Sequence, residues 1–472
     1  MARFIGREHE LARLKDLLQK KSSSLVVIRG RRRIGKSRLA EEFSKEFPKA
    51  YFFTALPPEK KITAEMQREK FAELMRQQKI PRVEGNGWGD MFKDVANACK
   101  KGRVLVVIDE VSWMGSKDPA FLGNINIAWE QYFKKNPQLV LILCGSNSTW
   151  IEKNILSSTG FVGRISLRLH LKELSLPECN RFWGAQQKNI SSYEKFKLLG
   201  VTGGIPRYLE EIEPSLPAEE NIQRICFEKE GFLFSEFDDI FSDLFSSKSP
   251  RYKEIVQQLV DGPLELKTIA QAFDRTPGGD LTEFLDDLCE SGFVSRDFTW
   301  NIKDGSVSKL SRFRLSDNYV RFYLKNIEPN KHRIDEGVFK GLPIAWHTIL
   351  GLQFENLVIN SKEQLWKLLK IPDGSILASS PYFQTKTASR PGCQIDLLIE
   401  TKFNTLYLGE IRFKKEPIGM SVIEEVKQKM QRMQVPKGFS IRPFLVHVNG
   451  VHDSVIESEF FSSIIDFSQL LL

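Results

Sequence analysis

The sequence lacks any long apolar run. No stretch approaches the roughly 18 uninterrupted apolar residues that a membrane-spanning helix needs, and the longest candidates contain Arg, Asp or Glu. The first residues, MARFIGREHELARLKDLL, carry charges where a secretory signal peptide would need its apolar stretch. We therefore expect a soluble protein that remains in the cytoplasm and has no membrane partner.

Cysteine is scarce. The 472 residues include 6 cysteines, which are scattered and form neither a C-x-x-C pair nor a dense framework. Such usage is typical of reduced, mostly buried thiols in a cytosolic protein.

A strong excess of one charge is also absent. Lys and Arg number 68 against 60 Asp and Glu, which gives a net charge of +8. This balance permits contact with nucleic acid but does not require it. Hydrophobic residues at 41% and charged residues at 27% exclude a collagen-like or wholly disordered chain. The length of 472 residues predicts several domains, since one core usually takes about 100 to 200 residues.

The most informative motif is G-x-x-x-x-G-K-S at residues 30–37. It follows an apolar run, Leu25–Ile28, that predicts a strand, and it precedes a predicted helix, Arg38–Phe47. A phosphate-binding loop requires this order of strand, Gly-rich turn and helix. Its N–H groups can surround anionic oxygens, Lys36 can reach the β- and γ-phosphates, and the Ser37 hydroxyl can ligate Mg²⁺. We predict that ATP binds to Gly30, Arg31, Arg32, Arg33, Ile34, Gly35, Lys36, Ser37 and Arg38.

Two further apolar runs end in polar residues that suit the same chemistry. Val104–Ile108 is followed by Asp109, a predicted Mg²⁺ ligand together with Ser37, and by Glu110, a predicted general base for the attacking water. The second run, Leu139–Leu143, ends near Ser146 and Asn147. These two residues are candidate sensors of the γ-phosphate, although capping of the strand end is an equally open alternative.

Hydrolysis also requires positive charge that stabilises the transition state. The candidates are Arg164, which follows Gly163, and Arg207, in the stretch GGIPRYL. Either can act within its own subunit or on the nucleotide of a neighbouring copy. The alternative for each is a surface or structural arginine.

In this order, the segments FIGREHEL, GRRRIGKS, VLVVIDE, CGSN, a following GR and GGIPRYL resemble the archaeal-type ATPases of the AAA-related, STAND-like P-loop group. The resemblance implies that the stretch Phe4–Glu10 lies near the adenine and that a helical lid carries Gly203–Tyr208. It also implies a winged helix and a restriction-endonuclease-like C-terminal domain, so it covers essentially the whole chain.

The middle of the chain predicts two smaller modules. Residues 172–247 are helical and aromatic, as expected for the lid. Residues 248–330 predict three helices and a β-hairpin, the composition of a winged helix. The third helix is acidic, and residues 277–295 contain no Lys or Arg, so this helix would repel DNA. Packing against other domains or a protein partner is favoured, while a basic wing leaves DNA contact or a solvated face open. The basic residues of this wing are Arg296, Lys303, Lys309, Arg312 and Arg314.

The last module, residues 340–472, carries a second carboxylate pattern. Asp396 lies in one predicted strand and Glu410 in the next, followed two residues later by Arg412. Residues two apart along a strand face the same side. Two carboxylates can hold a divalent metal that activates water, and a nearby cation supports the developing charge. The module resembles the PD-(D/E)xK nucleases.

The pattern departs from those nucleases at its cation. Arg412 stands where Lys is usual, and a planar guanidinium does not share the adjustable pKa of Lys. Lys414 is a possible substitute, Glu355 a further acidic group and Gln394 an assisting residue. An active nuclease, a degenerate nuclease fold used for binding, and unrelated strand carboxylates all stay open.

The sequence thus predicts an α/β protein with a P-loop ATPase core at 1–171, a lid at 172–247, a winged helix at 248–330 and a nuclease-like domain at 340–472. The expected function is ATP-driven switching, with Mg²⁺, of a domain that acts on DNA. The alternative is an ATP-dependent regulator or scaffold whose other modules only bind DNA or protein. A homo-oligomer or a protein partner is compatible with both functions.

Overall fold

A computed structural model describes residues 4–57, 59, 61–82, 85, 87–245, 248–273, 278–388 and 391–472. The chain divides into two compact units. Unit 1 comprises residues 1–173, 239–249 and 290–292, and unit 2 comprises residues 174–238, 250–289 and 293–472. The predicted division into four segments is finer than this, and its boundary residue Ser247 lies outside the described residues. None of the described helices is long and apolar enough to cross a bilayer.

Unit 1 is built on a parallel sheet, as the apolar runs predict. Its strands are β1 (Ser24–Arg29), β2 (Lys49–Thr54), β3 (Val104–Asp109), β4 (Leu139–Gly145) and β5 (Ile165–His170). They lie side by side in the order β2-β3-β4-β1-β5. Strands β3 and β4 are buried along their whole length, which explains their uninterrupted apolar sequences. Because all five strands run the same way, the residues that follow β1, β3 and β4 meet at one edge.

Helices pack on this sheet through apolar and aromatic side chains. Those of the first 173 residues are α1 (Glu8–Asp16), α2 (Lys36–Ser44), α3 (Ala64–Gln77), α4 (Trp88–Ala98), α5 (Val111–Gly115), α6 (Ala120–Gln131) and α7 (Ser148–Ile151). Phe71 of α3 stacks on Phe53 of β2 at 4.2 Å between ring centroids and meets Trp88 of α4 edge-on at 5.5 Å. Each such aromatic pair adds about 0.5–1.5 kcal/mol beyond its buried area. These rings therefore fix α3 and α4 on the sheet.

Residues 174–245 are helical, as the sequence predicts for this region. The helices are α8 (Leu176–Asn180), α9 (Ser192–Thr202), α10 (Pro206–Leu209), α11 (Ala218–Cys226) and α12 (Phe232–Phe245). Ser175 and Glu178 form a capping box that begins α8. Ser191 caps α9 by accepting the N–H of Glu194 at 3.1 Å.

The next part of unit 2 contains three helices and a small antiparallel sheet. The elements are α13 (Ser249–Gln258), β6 (Leu264–Glu265), α14 (Leu266–Gln271), α15 (Asp280–Glu290), β7 (Val294–Trp300) and β8 (Val307–Leu315). The strands lie in the order β6-β8-β7. Gly305, with φ 69°, takes the left-handed conformation in the turn between β7 and β8. Two short helices follow, α16 (Asn318–Phe322) and α17 (Lys331–Asp335).

The C-terminal part has a mixed sheet. Its elements are α18 (Leu350–Asn360), α19 (Lys362–Leu368), β9 (Ile376–Gln384), β10 (Cys393–Thr401), β11 (Thr405–Ile411), α20 (Ser421–Arg432), β12 (Ser440–His447), α21 (Asp453–Glu457), β13 (Ser463–Asp466) and α22 (Phe467–Leu470). The strand order is β13-β12-β11-β10-β9. Strand β10 is antiparallel to both β9 and β11, whereas β12 runs parallel to β11 and β13 parallel to β12.

The β7–β8 hairpin and the C-terminal sheet share one hydrophobic core. Trp300 and Ile302 are buried in the same cluster as Tyr382 and Ile395. The Trp300 indole Nε1 also donates a hydrogen bond of 2.5 Å to Oε2 of Glu400 in β10. The hairpin therefore contributes directly to the core of the C-terminal sheet.

The basic residues of the hairpin differ in their surroundings. Arg314 is buried, pairs with Asp297 at 2.8 Å and bonds to the amide oxygen of Asn356 at 2.5 Å. It cannot belong to a solvated basic face, and it is not available to contact DNA from a wing. The expectation of a solvated face is therefore wrong for Arg314, because the hairpin packs against α18.

Short 3-10 or π-helical turns join several elements. They lie at Leu17–Gln19, Phe133–Lys135, Glu152–Leu156, Arg181–Gln186, Tyr323–Ile327, Glu328–Asn330 and Trp346–Ile349.

Candidate functional site

The glycine-rich loop lies between the end of β1 at Arg29 and the start of α2 at Lys36. Gly30 and Gly35 have φ of 150° and 92°, and a Cβ atom on Gly30 would lie 2.5 Å from the carbonyl oxygen of Leu171. Any side chain at residue 30 would clash with this backbone atom. The loop thus has the compact backbone path for which the motif needs glycine.

Lys36 lies across this loop. Its Nζ donates to the carbonyl oxygens of Gly30 at 2.9 Å and Arg31 at 3.0 Å, and the side chain is buried. The first N–H groups of α2 have no intrahelical acceptors, and the helix dipole favours negative charge there. An ammonium group and free N–H groups at one loop fit the phosphates of a nucleotide.

The other residues predicted for nucleotide binding have varied environments. Ile34 and Arg31 are buried, whereas Arg32 and Arg33 are partly exposed. Arg38 reaches Glu41 on the next turn of α2, with 3.1 Å between Nη1 and Oε2. Their part in nucleotide binding stays a prediction.

The two predicted Mg²⁺ ligands are in direct contact. Ser37 donates its hydroxyl to Oδ2 of Asp109 at 2.6 Å. The other carboxylate oxygen, Oδ1, accepts the N–H of Glu110 and the thiol of Cys144, each at 3.0 Å. A hydroxyl and a carboxylate are oxygen ligands that Mg²⁺ prefers, with water completing the shell. The donor set therefore fits Mg²⁺.

Cys144 is a neighbour of this site that the sequence does not single out. Its sulfur is buried, and burial followed by the negative charge of Asp109 raises the pKa of the thiol well above its usual range. The neutral thiol can then donate to Asp109 without adding a second negative charge. The sequence could have indicated Cys144 as a neighbour of the site, because it lies at the carboxyl end of β4.

Glu110 and Ser146 are brought together. Glu110 Oε2 accepts hydrogen bonds from the Ser146 N–H at 2.9 Å and from its hydroxyl at 2.8 Å. The predicted base and the predicted sensor are therefore bonded to each other. Asn147 instead caps α7, since its Oδ1 accepts the N–H of Trp150 at 2.9 Å. Asn147 is therefore the N-cap of a helix, and its role as a phosphate sensor stays a prediction.

The amino-terminal segment is anchored to the loop by Arg7, another residue that the sequence does not single out. Its Nη2 donates to the carbonyl oxygens of Ile34 at 3.1 Å and Lys172 at 2.5 Å, and its Nη1 pairs with Glu10 at 3.0 Å. Burial of a charged residue that hydrogen-bonds to backbone carbonyls fixes the segment in place. The motif FIGRE therefore has a structural link to the phosphate-binding loop.

Arg164 lies away from the loop of its own chain. It directly precedes β5, whose first residue Ile165 pairs with Leu25 near the start of β1. This is the opposite edge of the sheet from the loop that follows β1. Arg164 also pairs through Nε with Glu130 at 2.6 Å and donates through Nη1 to Gly160 at 2.6 Å.

Arg207 belongs to α10 in unit 2. Its guanidinium pairs with Glu211 at 2.6 Å and Glu210 at 3.4 Å and lies 4.4 Å from the centroid of the Phe232 ring. Both candidate arginines are thus ion-paired, and either would have to leave its carboxylate partner to reach a phosphate.

A second constellation lies on β10 and β11. In the antiparallel register Leu397 faces Gly409, which places Asp396 and Glu410 opposite each other. Asp396 Oδ2 accepts the N–H of Ile411 at 2.9 Å, and Glu410 is only 1% exposed. The sequence thus correctly anticipates that these two carboxylates face the same side.

The cation between them is Lys429 of α20, which the sequence reasoning missed. Its Nζ lies 2.5 Å from Glu410 Oε2 and 3.5 Å from Asp396 Oδ1. Val422 and Val426 form the buried stripe of α20, and Lys429 lies on that stripe, seven and three residues further on. The signal that could have found Lys429 is a lysine at helical spacing from the apolar residues Val422 and Val426.

Arg412 lies beside Glu410, whereas Lys414 is exposed beyond the strand. Arg412 bonds to Glu410 and also to Glu425 of α20. Strand β11 ends at Ile411, and Lys414 is exposed beyond it. The alternation of strand faces does not extend to residue 414, so the strand does not place Lys414 beside Glu410.

Two carboxylates of this region have raised pKa values. Burial, with the negative charge of Glu410, raises the pKa of Asp396 to about 6. Burial, with the charge of Asp396, raises the pKa of Glu355 on α18 to about 7. Within the described ranges, no three His, Cys, Asp or Glu side chains group closely enough to enclose a metal. A divalent ion here would be held by the Asp396–Glu410 pair and by water.

Residues 4–212 match the family model described as an ATPase domain predominantly from Archaea. This segment is therefore similar to archaeal-type ATPase domains. The matched range includes the loop at residues 30–37 and also Asp109, Glu110, Ser146, Arg164 and Arg207. The second constellation, on β10 and β11, lies outside the matched range.

Other proteins match a longer part of this chain than residues 4–212. A protein of Methanocaldococcus jannaschii, described as the uncharacterized protein MJECL04, is 26% identical over 374 residues, which cover 78% of this chain and 79% of that protein. The Walker-type ATPase PABY2304 of Pyrococcus abyssi is 17% identical, with a TM-score of 0.49, and covers 68% of this chain and 96% of its own. The ORC2 protein of Aeropyrum pernix, in ADPNP–ADP complexes, is 13% identical, with a TM-score of 0.44, and covers 70% and 94%.

Proposed function

We propose that the protein binds ATP with Mg²⁺ at residues 30–37, hydrolyses it, and uses the change of nucleotide to switch a DNA-directed activity of its C-terminal part. The observation that carries the first half of this proposal is the convergence of Lys36, Ser37, Asp109, Glu110 and Ser146 at one edge of a parallel sheet. An ATPase domain with this set has the groups that phosphoryl transfer needs.

The phosphate-binding groups have separate roles. Lys36 would exchange the carbonyl oxygens of Gly30 and Arg31 for β- and γ-phosphate oxygens, and the first N–H groups of α2 would bind the remaining anionic oxygens. Ser37 and Asp109 would hold Mg²⁺, which supplies charge neutralisation on the phosphates when bound.

Glu110 is the proposed general base. Both donors of Ser146 bond to Oε2, so Oε1 is the oxygen that would accept a proton from water. The two bonds from Ser146 would hold the carboxylate in position for this transfer.

The transition-state arginine is proposed to come from a neighbouring copy. Arg164 lies at the sheet edge opposite its own loop, which favours action in trans over action within the subunit. Arg207 is the second candidate. A homo-oligomer is therefore part of the proposal.

The test of the ATPase half compares two lysines of one helix region. Lys36→Ala should abolish ATP binding and phosphate release, because it removes the ammonium group at the loop. Lys45→Ala, which removes an exposed lysine paired with Glu42 at the end of α2, should behave as wild type. Unaltered phosphate release in Lys36→Ala would defeat the assignment.

The second half of the proposal concerns residues 340–472. The order of elements from α18 to β12 supports a PD-(D/E)xK nuclease-like fold. In it, helix α18 precedes the antiparallel strands β9, β10 and β11, and helix α20 then leads to β12, which runs parallel to β11. Asp396 and Glu410 would hold the metal, and Lys429 with Arg412 would supply the cations. The preceding module, residues 248–330, is proposed to be a winged helix that packs on this domain.

One observation favours the alternative of a binding protein without cleavage. Lys429 and Arg412 already neutralise the carboxylate pair without any metal. A nicking assay on plasmid DNA with Mg²⁺ or Mn²⁺ separates the two functions. Cleavage that is lost in Asp396→Ala supports the nuclease, whereas equal cleavage by both proteins or none by either supports the regulator or scaffold.

A further inference from the structure

Unit 2 contains a cleft where the β8 strand meets α18, β9 and β10. The cleft reaches Asp396 and is lined by charged groups of both signs. Its walls include Arg312, Arg321, Glu355, Phe383, Gln394 and Asp396.

The basic end of the cleft is formed by Arg312 of β8. Its guanidinium lies 4.4 Å from the centroid of the Phe383 ring and donates through Nη1 to the amide oxygen of Gln394 at 3.2 Å. Its side chain is 25% exposed, and Glu265 lies 3.7 Å from its Nε. Stacking and one hydrogen bond hold the guanidinium in place while part of it stays accessible.

A second arginine adds positive charge beneath the cleft. Arg321 is buried and donates to the carbonyl oxygens of Val260 and Leu315 and to Gln353. In the part of the chain that the structure describes, it has no carboxylate partner. Burial, with the nearby Arg314, lowers the pKa of Arg321 to about 9. The negative charges of Glu355 and Asp261 offset part of the charge of Arg321, and an anion in the cleft would offset more of it.

The cleft is also lined by carboxylates. Glu355 accepts no hydrogen bond and forms no close ion pair within the described ranges; Asp396 lies near enough to repel its charge, while Arg314, Arg321 and Lys429 partly offset it. A ligand that suits both kinds of group brings negative charge to the arginines and positive charge to the carboxylates. A phosphodiester accompanied by a divalent cation meets both requirements.

We propose that this cleft binds the sugar-phosphate backbone of one nucleic-acid strand, with Arg312 on one phosphate and Asp396 beside the next. The proposal deepens the proposed function and rests on it, since it names the substrate path to the Asp396–Glu410 pair. Arg312 is a positioning residue that the hairpin supplies to the C-terminal site. A guanidinium presents paired donors that match phosphate oxygens.

The strand geometry supports a ligand of this length. Gln394, which holds Arg312, and Asp396 lie two residues apart on β10, so they face the same side about 7 Å apart. One nucleotide unit of an extended backbone can span this separation. An acidic peptide would also pair with Arg312, but its carboxylates would be repelled by Glu355 and Asp396.

The cleft does not offer base stacking. The Phe383 ring is covered by Arg312, and Tyr382 is buried against Trp300 with 5.3 Å between ring centroids. Contacts to phosphates alone carry no base information. Binding should therefore be independent of sequence and strongly dependent on salt.

The test measures binding of a fluorescent single-stranded oligothymidylate to the full chain, with Ca²⁺ in place of Mg²⁺, over a range of KCl concentrations. Arg312→Ala should weaken binding about tenfold or more, the value of one charge-assisted hydrogen bond. It should also reduce the slope of log Kobs against log[KCl] by about 0.7, as expected for one lost phosphate contact on a single strand. Arg312→Lys should restore most of the slope.

The matched control is Arg296→Ala on the same hairpin. Arg296 also lies over aromatic rings, 4.8 Å from the centroid of Phe298 and 5.2 Å from that of Phe313, but it does not line the cleft. The Arg296→Ala variant should leave the slope of log Kobs against log[KCl] unchanged. Equal losses in Arg296→Ala and Arg312→Ala, or an unchanged slope in Arg312→Ala, would overturn the proposal.

The same proteins separate this inference from the proposed function. Arg312-dependent binding without any Asp396-dependent nicking would keep the cleft and refute the nuclease. Nicking that needs Asp396 but ignores Arg312 would keep the nuclease and refute the cleft. If Arg312→Ala does not fold, as judged by its thermal transition, Arg312→Gln provides the same comparison with a side chain that preserves stacking and volume.

Discussion

At the scale of single residues, the conformation of Glu110 links the end of β3 to the proposed chemistry. Glu110 has φ 51° and ψ 48°, a left-handed conformation that costs a residue with a side chain about 1–2 kcal/mol. Such strain persists only where the surroundings fix it. Here the two hydrogen bonds from Ser146 hold the carboxylate beside Asp109 and the loop.

Glu110→Gln should uncouple binding from hydrolysis. A Gln side chain can still accept a hydrogen bond from Ser146, but it cannot take a proton from water. We expect phosphate release to fall by about 100-fold or more, with ATP affinity retained, since general base catalysis contributes about 10²–10⁴-fold. Phosphate release and equilibrium binding of a fluorescent ATP analogue measure the two quantities. Hydrolysis at the wild-type rate would remove Glu110 from the mechanism.

The Glu355 carboxyl should make stability depend on pH. Its pKa is about 7 in the folded protein against an ordinary 4.5, so the folded state keeps a proton that the unfolded chain has lost. Stability therefore falls as pH rises from about 4.5 to 7. Glu355→Gln removes this loss, and the variant should gain free energy of unfolding over wild type by about 3 kcal/mol between these pH values.

Urea unfolding in EDTA from pH 4 to pH 8 checks this sign. Asp396→Asn serves as the comparison, because its pKa of about 6 against 3.8 places the same effect at lower pH. A difference between Glu355→Gln and wild type that does not change with pH would contradict the raised pKa.

At the scale of elements, the sequence predicts the central strands well and the edge strands poorly. Strands β1, β3 and β4 lie inside the sheet and are nearly uniformly apolar, so their runs are visible without any fold. Strands β2 and β5 lie at the two edges. Only alternate residues of β5, such as Leu167 and Leu169, are buried, and its remaining residues are partly or fully exposed. A search for continuous apolar runs passes over such strands.

The site residues follow the same logic. Residues close together in sequence, such as Lys36 with Ser37 or Asp109 with Glu110, carry their own motif and are predicted directly. Lys429 is separated from Glu410 by 19 residues and reaches it only because α20 packs on the sheet through Val422 and Val426. Long-range pairings of this kind depend on tertiary packing and have no local signature.

Lys429 should be replaceable by a metal ion. Lys429→Met leaves Asp396 and Glu410 facing each other without their shared cation, so we expect the variant to lose about 1–3 kcal/mol of stability in EDTA. Mn²⁺ should then raise the Tm of the variant more than that of wild type, since the ion takes the vacated place. Lys427→Met on the exposed side of α20 should show neither effect. An equal Mn²⁺ response in all three proteins would argue against a metal at this pair.

At the scale of the whole molecule, the two units carry one candidate site each, and the chain connects them. Helix α12 has residues in both units, because the boundary falls between Asp238 and Asp239. A helix is a stiff connection, and displacement of one of its ends moves the other. This connectivity supports the proposal that the nucleotide state of unit 1 affects the cleft of unit 2.

Such coupling must be reciprocal, which gives the last prediction. If an ATP analogue changes the affinity of the full chain for the oligothymidylate by some factor, typically about 5–150-fold, the oligothymidylate must change the affinity for the analogue by the same factor. Titrations in both directions measure the two factors independently. Arg312→Ala should bind the analogue normally but show a smaller effect of oligothymidylate on it, whereas Lys36→Ala should bind oligothymidylate with an affinity that ignores nucleotide. If neither ligand changes the affinity for the other, the nucleotide site and the cleft work independently. Two unequal factors would show that one of the ligands also binds elsewhere on the chain.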